Sequence, residues 1–246
     1  IKIEDFSNPS SFLLGTKADT LFNMNKILKK SNVLDQFTFT QGQWSNDKNN
    51  ILQQIKKIFS NKKLIIRSSS IFEDRLDQSN AGMFESILNI KIDNFLEDHI
   101  ESILKNYKIK KYSNSNNQVL IQEFLTNVKV SGVVLTTIQK DSSPYYLINF
   151  DDTSNKTDTV TSGNASSIKT IYIYKNSKSS SYLNSWQTKL IRSIKEIESK
   201  VNLDNLDIEF AVDIKNRVNI FQVRPLKQIK NRNYHIDDFD LQLSNI

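Results

Sequence analysis

The C-terminal part of the chain predicts a β-hairpin that gathers four polar side chains on one face. In "AVDIKNRVNIFQVRPL", Lys215 and Asn216 are expected to form the turn between two strands. Residues opposite each other in antiparallel strands share a face, and side chains alternate along each strand. This register predicts two facing pairs, Glu209 with Gln222 and Asp207 with Arg224. The other face is expected to be an apolar core layer of Ile208, Phe210, Phe221 and Val223.

Glu209 and Gln222 are candidate metal ligands. A carboxylate beside an amide oxygen offers two hard oxygen ligands, which suit Mg²⁺, and this ion completes its shell with water and phosphate oxygens. Arg224 lies one step further along the hairpin and could pair with a terminal phosphate, because its planar fork donates two hydrogen bonds. The alternative from these residues alone is a solvated polar sheet face.

A second candidate site is the stretch "RSSSIFEDRLDQSNAGMFESILNI", from Arg67 to Ile90. It places an arginine, a run of hydroxyl groups, two acids and a small-residue turn between two apolar segments. This combination predicts a loop that handles phosphate. The alternative is an ordinary serine-rich turn that happens to follow an arginine.

The overall composition excludes several classes of protein. With 246 residues, 38% hydrophobic and 24% charged, the chain is expected to fold around a sizeable core. No apolar run approaches the roughly 20 residues that span a bilayer, so no membrane anchor is expected. The chain begins with Ile1 and shows no signal segment, so we expect a part of a longer cytoplasmic protein. The absence of cysteine excludes thiolate chemistry within these residues and is consistent with a reducing compartment.

The net charge of +6 does not by itself indicate a nucleic-acid partner. The basic residues are mostly lysines scattered through segments such as "NKKLII" and "KIKKY", whereas a nucleic-acid-binding protein concentrates its charge on one face. We therefore predict solvated surfaces and no nucleic-acid binding. A moderate positive field also suits a protein that binds a polyphosphate.

Hydrophobic periodicity predicts four helices and eight strands that would position these groups. The helices are expected near Lys17, around Ile51–Phe59, around Leu96–Tyr107 and over Trp186–Val201. The strands are predicted in "KLIIR", "ESILNI", "QVLIQEFL", "VSGVVLTTI", "YYLINF", "KTIYIY", "LDIEFAVD" and "RVNIFQV". The polar segment "KKYSNSNNQ" is the expected boundary between a helix-rich part and a strand-rich part.

Five stretches, in this order along the chain, resemble the ATP-binding domain of the pyruvate phosphate dikinase and phosphoenolpyruvate synthase family. Four of them are "LLGTKADTLFNM", "IIRSSSIFEDRLDQSNAGMFESILNI", "VLIQEFLTNVKVSGVVLTT" and "LDIEFAVDIKNRVNIFQVRPL". The remaining one, "NKTDTVTSG", stands where the family carries a glycine-rich stretch and departs from that pattern. Two positions depart from the family pattern: Thr16 replaces a second glycine, and Asp158 stands where the family favours glutamate. The second departure puts a role for Asp158 in doubt.

The resemblance implies an α+β ATP-grasp fold with two lobes, mainly antiparallel sheets flanked by helices, and a nucleotide between the lobes. Residues 1–112 would form the N-terminal lobe and residues 113–228 the C-terminal lobe. Residues 229–246 would be a linker towards a phosphohistidine domain.

The resemblance also implies the roles of individual residues. Lys17 and Arg67 would hold the triphosphate of ATP, and the loop around Gly82 would cover it, since glycine lets backbone N–H groups approach a ligand closely. Mg²⁺ would bind to Glu209 and Gln222, and Arg224 would contact the terminal phosphate. The adenine would lie against Gln122, Glu123 and Leu125. Lys17, Arg67 and Arg224 are the expected catalytic residues.

In the family that this chain resembles, ATP is cleaved to AMP, and a histidine on a separate domain carries a phosphoryl group to the acceptor. That histidine lies in a Thr-Ser-His setting, which neither His99 nor His235 has. We therefore expect the carrier and acceptor domains elsewhere in the same polypeptide. The segment "PYYLINFDDTSNKTDTVTSG" resembles a subgroup from capsule gene clusters that includes L-glutamine kinase, so L-glutamine is the preferred small-molecule acceptor. A pyruvate-dependent enzyme like phosphoenolpyruvate synthase, and a nucleotide-binding module without catalysis, are the alternatives.

Overall fold

Two antiparallel sheets form the framework of the protein. The structure, a computed structural model, describes residues 9–70, 86–93, 95–109, 114–138, 143–157, 168–177 and 182–226. The helices are α1 (Pro9–Leu13), α2 (Lys17–Ile27), α3 (Gln41–Ile58), α4 (Leu96–Ile109) and α5 (Ser185–Val201). The strands are β1 (Gln36–Thr40), β2 (Leu64–Ser69), β3 (Ser86–Ile90), β4 (Gln118–Glu123), β5 (Val128–Leu135), β6 (Tyr145–Asp151), β7 (Lys169–Tyr174), β8 (Leu206–Asp213) and β9 (Val218–Pro225).

The first sheet has the strand order β1-β4-β2-β3 and is covered on one face by α3 and α4. Helix α3 begins at a capping box in which Thr40 and Gln43 satisfy each other's backbone N–H groups. Ile51 and Ile55 then face the core, as the sequence periodicity predicted. The first sheet therefore keeps one apolar face against helices and leaves its other face for the rest of the molecule.

The second sheet has the order β7-β6-β5-β8-β9, and helix α5 packs against one of its faces. A capping box of Asn184 and Gln187 starts α5, and Asn202 ends it in the left-handed region with φ of 57°. The predicted apolar stripe of this helix is confirmed, because each of its members is buried: Trp186, Leu190, Ile194, Ile197 and Val201. Burying each of the four aliphatic members contributes about 1.5–3 kcal/mol to folding.

The two lobes are not simple halves of the chain. Helix α2 packs against β9 of the second sheet, and its buried Leu21 and Met24 belong to the second core. Strand β4 pairs with β1 and β2 of the first sheet, so the chain passes between sheets after Glu123. The division into lobes at residue 112 stays a prediction.

All eight predicted strands are present, with ends no more than three residues from the expected ones, and three of the four predicted helices match as closely. Helix α3 begins at Gln41, ten residues before the start of its predicted apolar stripe, and the short helix α1 was not predicted. Strand β1 was missed, because "QFTFT" is short and leads directly into α3. The part of the chain that the structure describes contains no helix with the length and apolarity needed to cross a membrane.

Candidate functional site

The hairpin of β8 and β9 brings together the pairs that the sequence predicted. Glu209 lies opposite Gln222, and Asp207 lies opposite Arg224. The predicted turn is wrong, however. The loop of the hairpin has three residues, since the Asp213 N–H donates to the carbonyl of Arg217 and thereby closes it. Within this loop Asn216 adopts a left-handed φ of 56°.

A β-bulge restores the predicted register. The three-residue loop shifts the pairing by one residue, so Phe210 faces Ile220 instead of Phe221. Phe221 is the extra residue of the bulge, and the register beyond it returns to the predicted one. Phe221 is half-buried, unlike its fully buried neighbours, so its placement in the core layer was wrong. Two irregularities that cancel therefore set the spacing of the polar pairs.

Arg224 is oriented by Asp207, the residue directly opposite. Its Nε and Nη2 atoms lie 2.8 and 2.7 Å from the same oxygen, Oδ2 of Asp207. Burial raises the pKa of Asp207, and the positive charge of Arg224 opposes this shift. The other oxygen, Oδ1 of Asp207, is buried and has no hydrogen-bond partner among the described residues. Sequence reasoning placed Asp207 on this face but gave it no role.

Arg67 connects the two lobes. From the end of β2 in the first sheet, its Nη1 donates to the Phe221 carbonyl at 2.9 Å. Its Nη2 lies 3.3 Å from Oε2 of Glu209. The residue is only 8% exposed, so the guanidinium is held in the protein interior between the sheets. The bulge at Phe221 thus supplies an acceptor for the arginine.

Lys17 is buried at the start of α2, and this helix start is fixed to the first sheet. Ala18 N–H donates to Ser69 Oγ at 2.9 Å. Ser69 lies two residues beyond Arg67 on β2, and residues two apart share a strand face. The fold therefore brings the helix that carries Lys17 onto the sheet face that carries Arg67.

Gln118 reinforces this junction, a role that sequence reasoning missed. Its Oε1 accepts from Thr16 Oγ1 at 2.6 Å and from Ser69 Oγ at 3.1 Å, and its Nε2 donates to Asp19 Oδ1. Thr16 also caps α2 by accepting from Asp19 N–H. The departure from glycine at position 16 is thus explained by a hydroxyl that both caps the helix and joins it to the sheet.

The three residues predicted at the adenine lie at the end of β4 and just after it. Gln122 is 1% exposed, and its Nε2 has no partner within the described ranges. The carboxylate of Glu123 instead bonds to Lys62 at 2.7 Å, a hydrogen bond that raises the pKa of Lys62. Leu125 is half-buried. Of the two polar side chains, only Gln122 lies on the face that carries Arg67, because Glu123 alternates to the other side.

Some predicted residues lie outside the described part of the chain: Gly82, Asp158 and His235. Gly132, in the matched "VSGVV" stretch, is explained by packing. A Cβ atom there would lie 2.2 Å from the carbonyl oxygen of Asn149 on the neighbouring strand. His99 is a half-buried residue of α4.

The donor set of Glu209 and Gln222 fits magnesium. The two side chains are paired across the hairpin and offer a carboxylate and an amide oxygen. In the residues that the structure describes, no three His, Asp or Glu side chains gather as a metal site. An ion at Glu209 and Gln222 would therefore complete its shell with oxygens from water and phosphate.

Comparison with protein families decides the classification. The model of the family "Pyruvate phosphate dikinase, AMP/ATP-binding domain" matches residues 16–149, more than half of the chain. The chain belongs to this family. The match includes Lys17, Arg67 and Gln122 and ends before the hairpin that carries Glu209, so the two candidate metal ligands lie beyond the matched segment.

Solved structures with a similar course of the chain include ligases and a synthetase. The D-alanine-D-alanine ligase from Helicobacter pylori shares 18% identity with a TM-score of 0.48, over 96% of this chain and 58% of that one. The D-alanine-D-alanine ligase from Coxiella burnetii shares 10% sequence identity with a TM-score of 0.49, over 95% of this chain and 54% of that one. N5-carboxyaminoimidazole synthetase from Staphylococcus aureus shares 11% sequence identity with a TM-score of 0.47, over 93% of this chain and 47% of that one. The chain thus spans less than two thirds of the length of each.

A search of curated proteins finds no match. Family membership, together with two antiparallel sheets flanked by helices, confirms the predicted α+β ATP-grasp fold. It also establishes the chain as an ATP-binding domain.

Proposed function

We propose that this chain is the ATP- and magnesium-binding part of an AMP-forming phosphotransferase of the dikinase type. The observation that supports the proposal most is that Arg67 of one lobe contacts groups of the other lobe. This arginine, which the family pattern associates with phosphate, contacts the carboxylate and the bulged strand of the second lobe. A triphosphate bound at this position would meet basic groups from one lobe and oxygen ligands from the other.

Each residue has a distinct task in this proposal. Lys17 and Arg67 would neutralise the phosphate oxygens, which is the main demand of phosphoryl transfer. Asp207 would fix the guanidinium of Arg224 so that its fork meets the terminal phosphate. Gly82 and its loop would cover the phosphates, while Gln122 and the backbone of Glu123 and Leu125 would bind the adenine.

Glu209 and Gln222 would hold Mg²⁺, which when bound neutralises charge on the polyphosphate. Glu209 contacts Arg67 at 3.3 Å in this structure, so the carboxylate and the guanidinium neutralise each other. Nucleotide and metal would each replace one partner of this pair. The site would therefore exchange one internal ion pair for two charge-matched contacts with the ligand.

The proposed reaction cleaves ATP between its α- and β-phosphates and releases AMP. One of the two phosphoryl groups passes to a histidine on a separate domain, and the other is transferred to water and leaves as inorganic phosphate. A small-molecule acceptor bound to a further domain then receives the phosphoryl group from the histidine. L-glutamine is the proposed acceptor, supported by the resemblance of the "PYYLINFDDTS" segment, and pyruvate is the second candidate. An enzyme that consumes ATP in this way would act in the cytoplasm, with the carrier and acceptor domains as its partners.

Thermal unfolding with and without ATP and Mg²⁺ tests the binding step. A ligand present at 100 times its Kd stabilises a protein by about 2.7 kcal/mol, which raises the melting temperature measurably. We expect ATP with Mg²⁺ to stabilise more than ATP with a chelator. The absence of any shift at millimolar ATP would reject the proposal.

The transfer step needs the protein together with its carrier and acceptor domains. AMP is measured after incubation with ATP, Mg²⁺ and either L-glutamine or pyruvate. AMP formation that depends on glutamine supports the preferred acceptor, and dependence on pyruvate supports the second. Tight ATP binding without AMP formed in the presence of either acceptor would favour the module without catalysis.

A further inference from the structure

Two glutamines on neighbouring strands of the first sheet lie directly opposite each other. Gln36 of β1 pairs with Gln122 of β4, so their side chains lie side by side on the same face. This is also the face of Arg67, which lies on β2 at the other side of β4. On the β2 side, the residue opposite Gln122 is Ile65, which cannot hydrogen-bond through its side chain.

The amide of Gln36 has a fixed orientation. Its Nε2 donates to the carbonyl of Ala18 at 3.0 Å, at the start of helix α2. A carbonyl accepts only, so the NH₂ group must face Ala18 and Oε1 must face away. This oxygen is buried and has no partner in the described residues.

Gln122 supplies the complementary group. Its Nε2, a donor, is likewise buried and lacks a partner among the residues that the structure describes. An acceptor and a donor on directly paired residues are thus both unsatisfied, which costs about 1–3 kcal/mol for each buried group. A rotation of either side chain could bring the two atoms into a hydrogen bond. The free energy gained would stabilise the conformation of the site in which that bond forms.

We propose that Gln36 is a positioning residue that orients the amide of Gln122 and thereby sets which base the site accepts. The inference rests on the proposed nucleotide-binding function. When Gln36 Oε1 accepts from Gln122 Nε2, the remaining oxygen of Gln122 is presented to the ligand. That oxygen accepts from the exocyclic amine of adenine, whereas guanine and hypoxanthine carry a carbonyl oxygen at the same ring position.

The chain of bonds therefore runs from the α2 backbone to the base. The Ala18 carbonyl fixes Gln36, Gln36 fixes Gln122, and Gln122 selects an amine over a carbonyl. Without Gln36, the amide of Gln122 can rotate and offer either its oxygen or its NH₂ group, because both ends have similar shape. Selectivity for ATP over inosine triphosphate (ITP) should then fall, while contacts with the phosphates remain.

The test is a titration calorimetry comparison of Mg-ATP and Mg-ITP on the protein and its Gln36→Met and Thr38→Val variants. Thr38 is the matched control, because its Oγ1 is a further buried unpartnered atom on the same strand but lies opposite Leu120. We expect Gln36→Met to lower the ratio of ATP to ITP affinity by about tenfold, the value of one good hydrogen bond. The Thr38→Val ratio should equal that of the unmodified protein.

Two further variants keep the test decisive if Gln36→Met fails to fold. In Gln36→Glu the carboxylate can still accept from Gln122 Nε2 but can no longer receive its orientation from the Ala18 carbonyl, so preference for ATP should fall less than in Gln36→Met. In Gln36→Lys the ammonium can only donate, which would turn the Nε2 of Gln122 towards the base and shift preference towards ITP.

An unmodified protein that prefers ATP would overturn the inference if a folded Gln36→Met or Gln36→Lys variant kept its ratio of ATP to ITP affinity. Equal affinity of the unmodified protein for ATP and ITP would overturn it as well. Failure of the unmodified protein to bind either nucleotide would instead refute the proposed function, so the two failures are distinguishable.

Discussion

Strand β8 carries an aspartate at each end, and the two are in opposite situations. Asp213, at the turn, accepts from the backbone N–H groups of Lys215 and Arg217 and from the Arg217 side chain. Burial disfavours its charge, but these hydrogen bonds together outweigh it and lower its pKa. Asp207, at the site, bonds through one oxygen to Arg224, and burial raises its pKa. The turn acid is satisfied by the fold, whereas the site acid is incompletely satisfied.

This difference is what we expect if Asp213 has a structural role and Asp207 acts in the proposed site. A carboxylate that fixes a turn needs all its partners within the chain, as Asp213 has. A group that meets a ligand keeps some hydrogen-bonding capacity in reserve, which costs stability until the ligand arrives. Of the six buried unpartnered side-chain atoms in the described part of the chain, three are on residues that we assign to the site: Asp207 Oδ1, Arg67 Nε and Gln122 Nε2. The other three are Gln36 Oε1, Ser31 Oγ and Thr38 Oγ1.

The largest effect is expected from Arg224→Ala. We expect AMP formation to fall by about 10²–10³-fold, because a preorganised charge at a developing oxyanion contributes that much. Asp207 would lose its cation, so the variant should also unfold at lower denaturant concentration. Adding Asp207→Asn to Arg224→Ala should restore stability without restoring activity, as measured by urea unfolding and AMP release. Turnover at the original rate in Arg224→Ala would remove this arginine from the mechanism.

Arg67→Met should have the next largest effect, a loss of ATP affinity of about 100-fold, since a buried guanidinium would no longer meet the phosphates. It also leaves Glu209 without its partner across the lobes. A double-mutant cycle with Glu209→Gln separates the two effects. The pair should show coupling in urea unfolding without nucleotide, because only that state contains the Arg67–Glu209 contact. A coupling of zero would mean that the contact does not hold the lobes together.

The sequence predicted most of the fold because its signals are local. The apolar stripes of α3 and α5 and the β-branched strands follow from residue patterns, whereas the order of the strands within the two sheets was not predicted. The pairing of Glu209 with Gln222 was correct although the assumed turn was not. The three-residue loop and the bulge at Phe221 depend on backbone geometry that alternation of residue types does not encode.

The junction between α2 and the first sheet was beyond sequence reasoning for a different reason. Gln118 and Ser69 meet Thr16 only through tertiary packing over long separations. Gln36 was missed because β1 was missed, and an isolated glutamine gives no signal of its own. The order of motifs indicated candidate residues, whereas only the fold determines which of them are in contact.

A smaller effect is expected from Asp213→Asn, which tests the turn end of the comparison. The folded pKa lies below the ordinary value of 3.8, so this carboxylate stabilises the fold above that pH. Its contribution is lost as the pH falls through the folded pKa. We expect the variant to be less stable by about 1–3 kcal/mol at pH 7, and the deficit to shrink as the pH is lowered below 3.8. Urea unfolding across this pH range measures it, and a deficit independent of pH would contradict the assignment.

The smallest effect is expected from Asp207→Asn, and its sign should be opposite. Because the folded pKa is raised, the protonated form fits the fold better, and stability is lost as the pH rises through that pKa. Asparagine resembles the protonated acid, so the variant should gain about 1 kcal/mol or less at pH 7. The gain should disappear below pH 3.8, where the carboxyl is protonated in both states.

AMP formation should nevertheless fall, because Arg224 loses the carboxylate that orients it. If urea unfolding instead shows Asp207→Asn to be as destabilised at pH 7 as Asp213→Asn, the two ends of β8 are structurally equivalent, and the unsatisfied oxygen of Asp207 no longer marks a site.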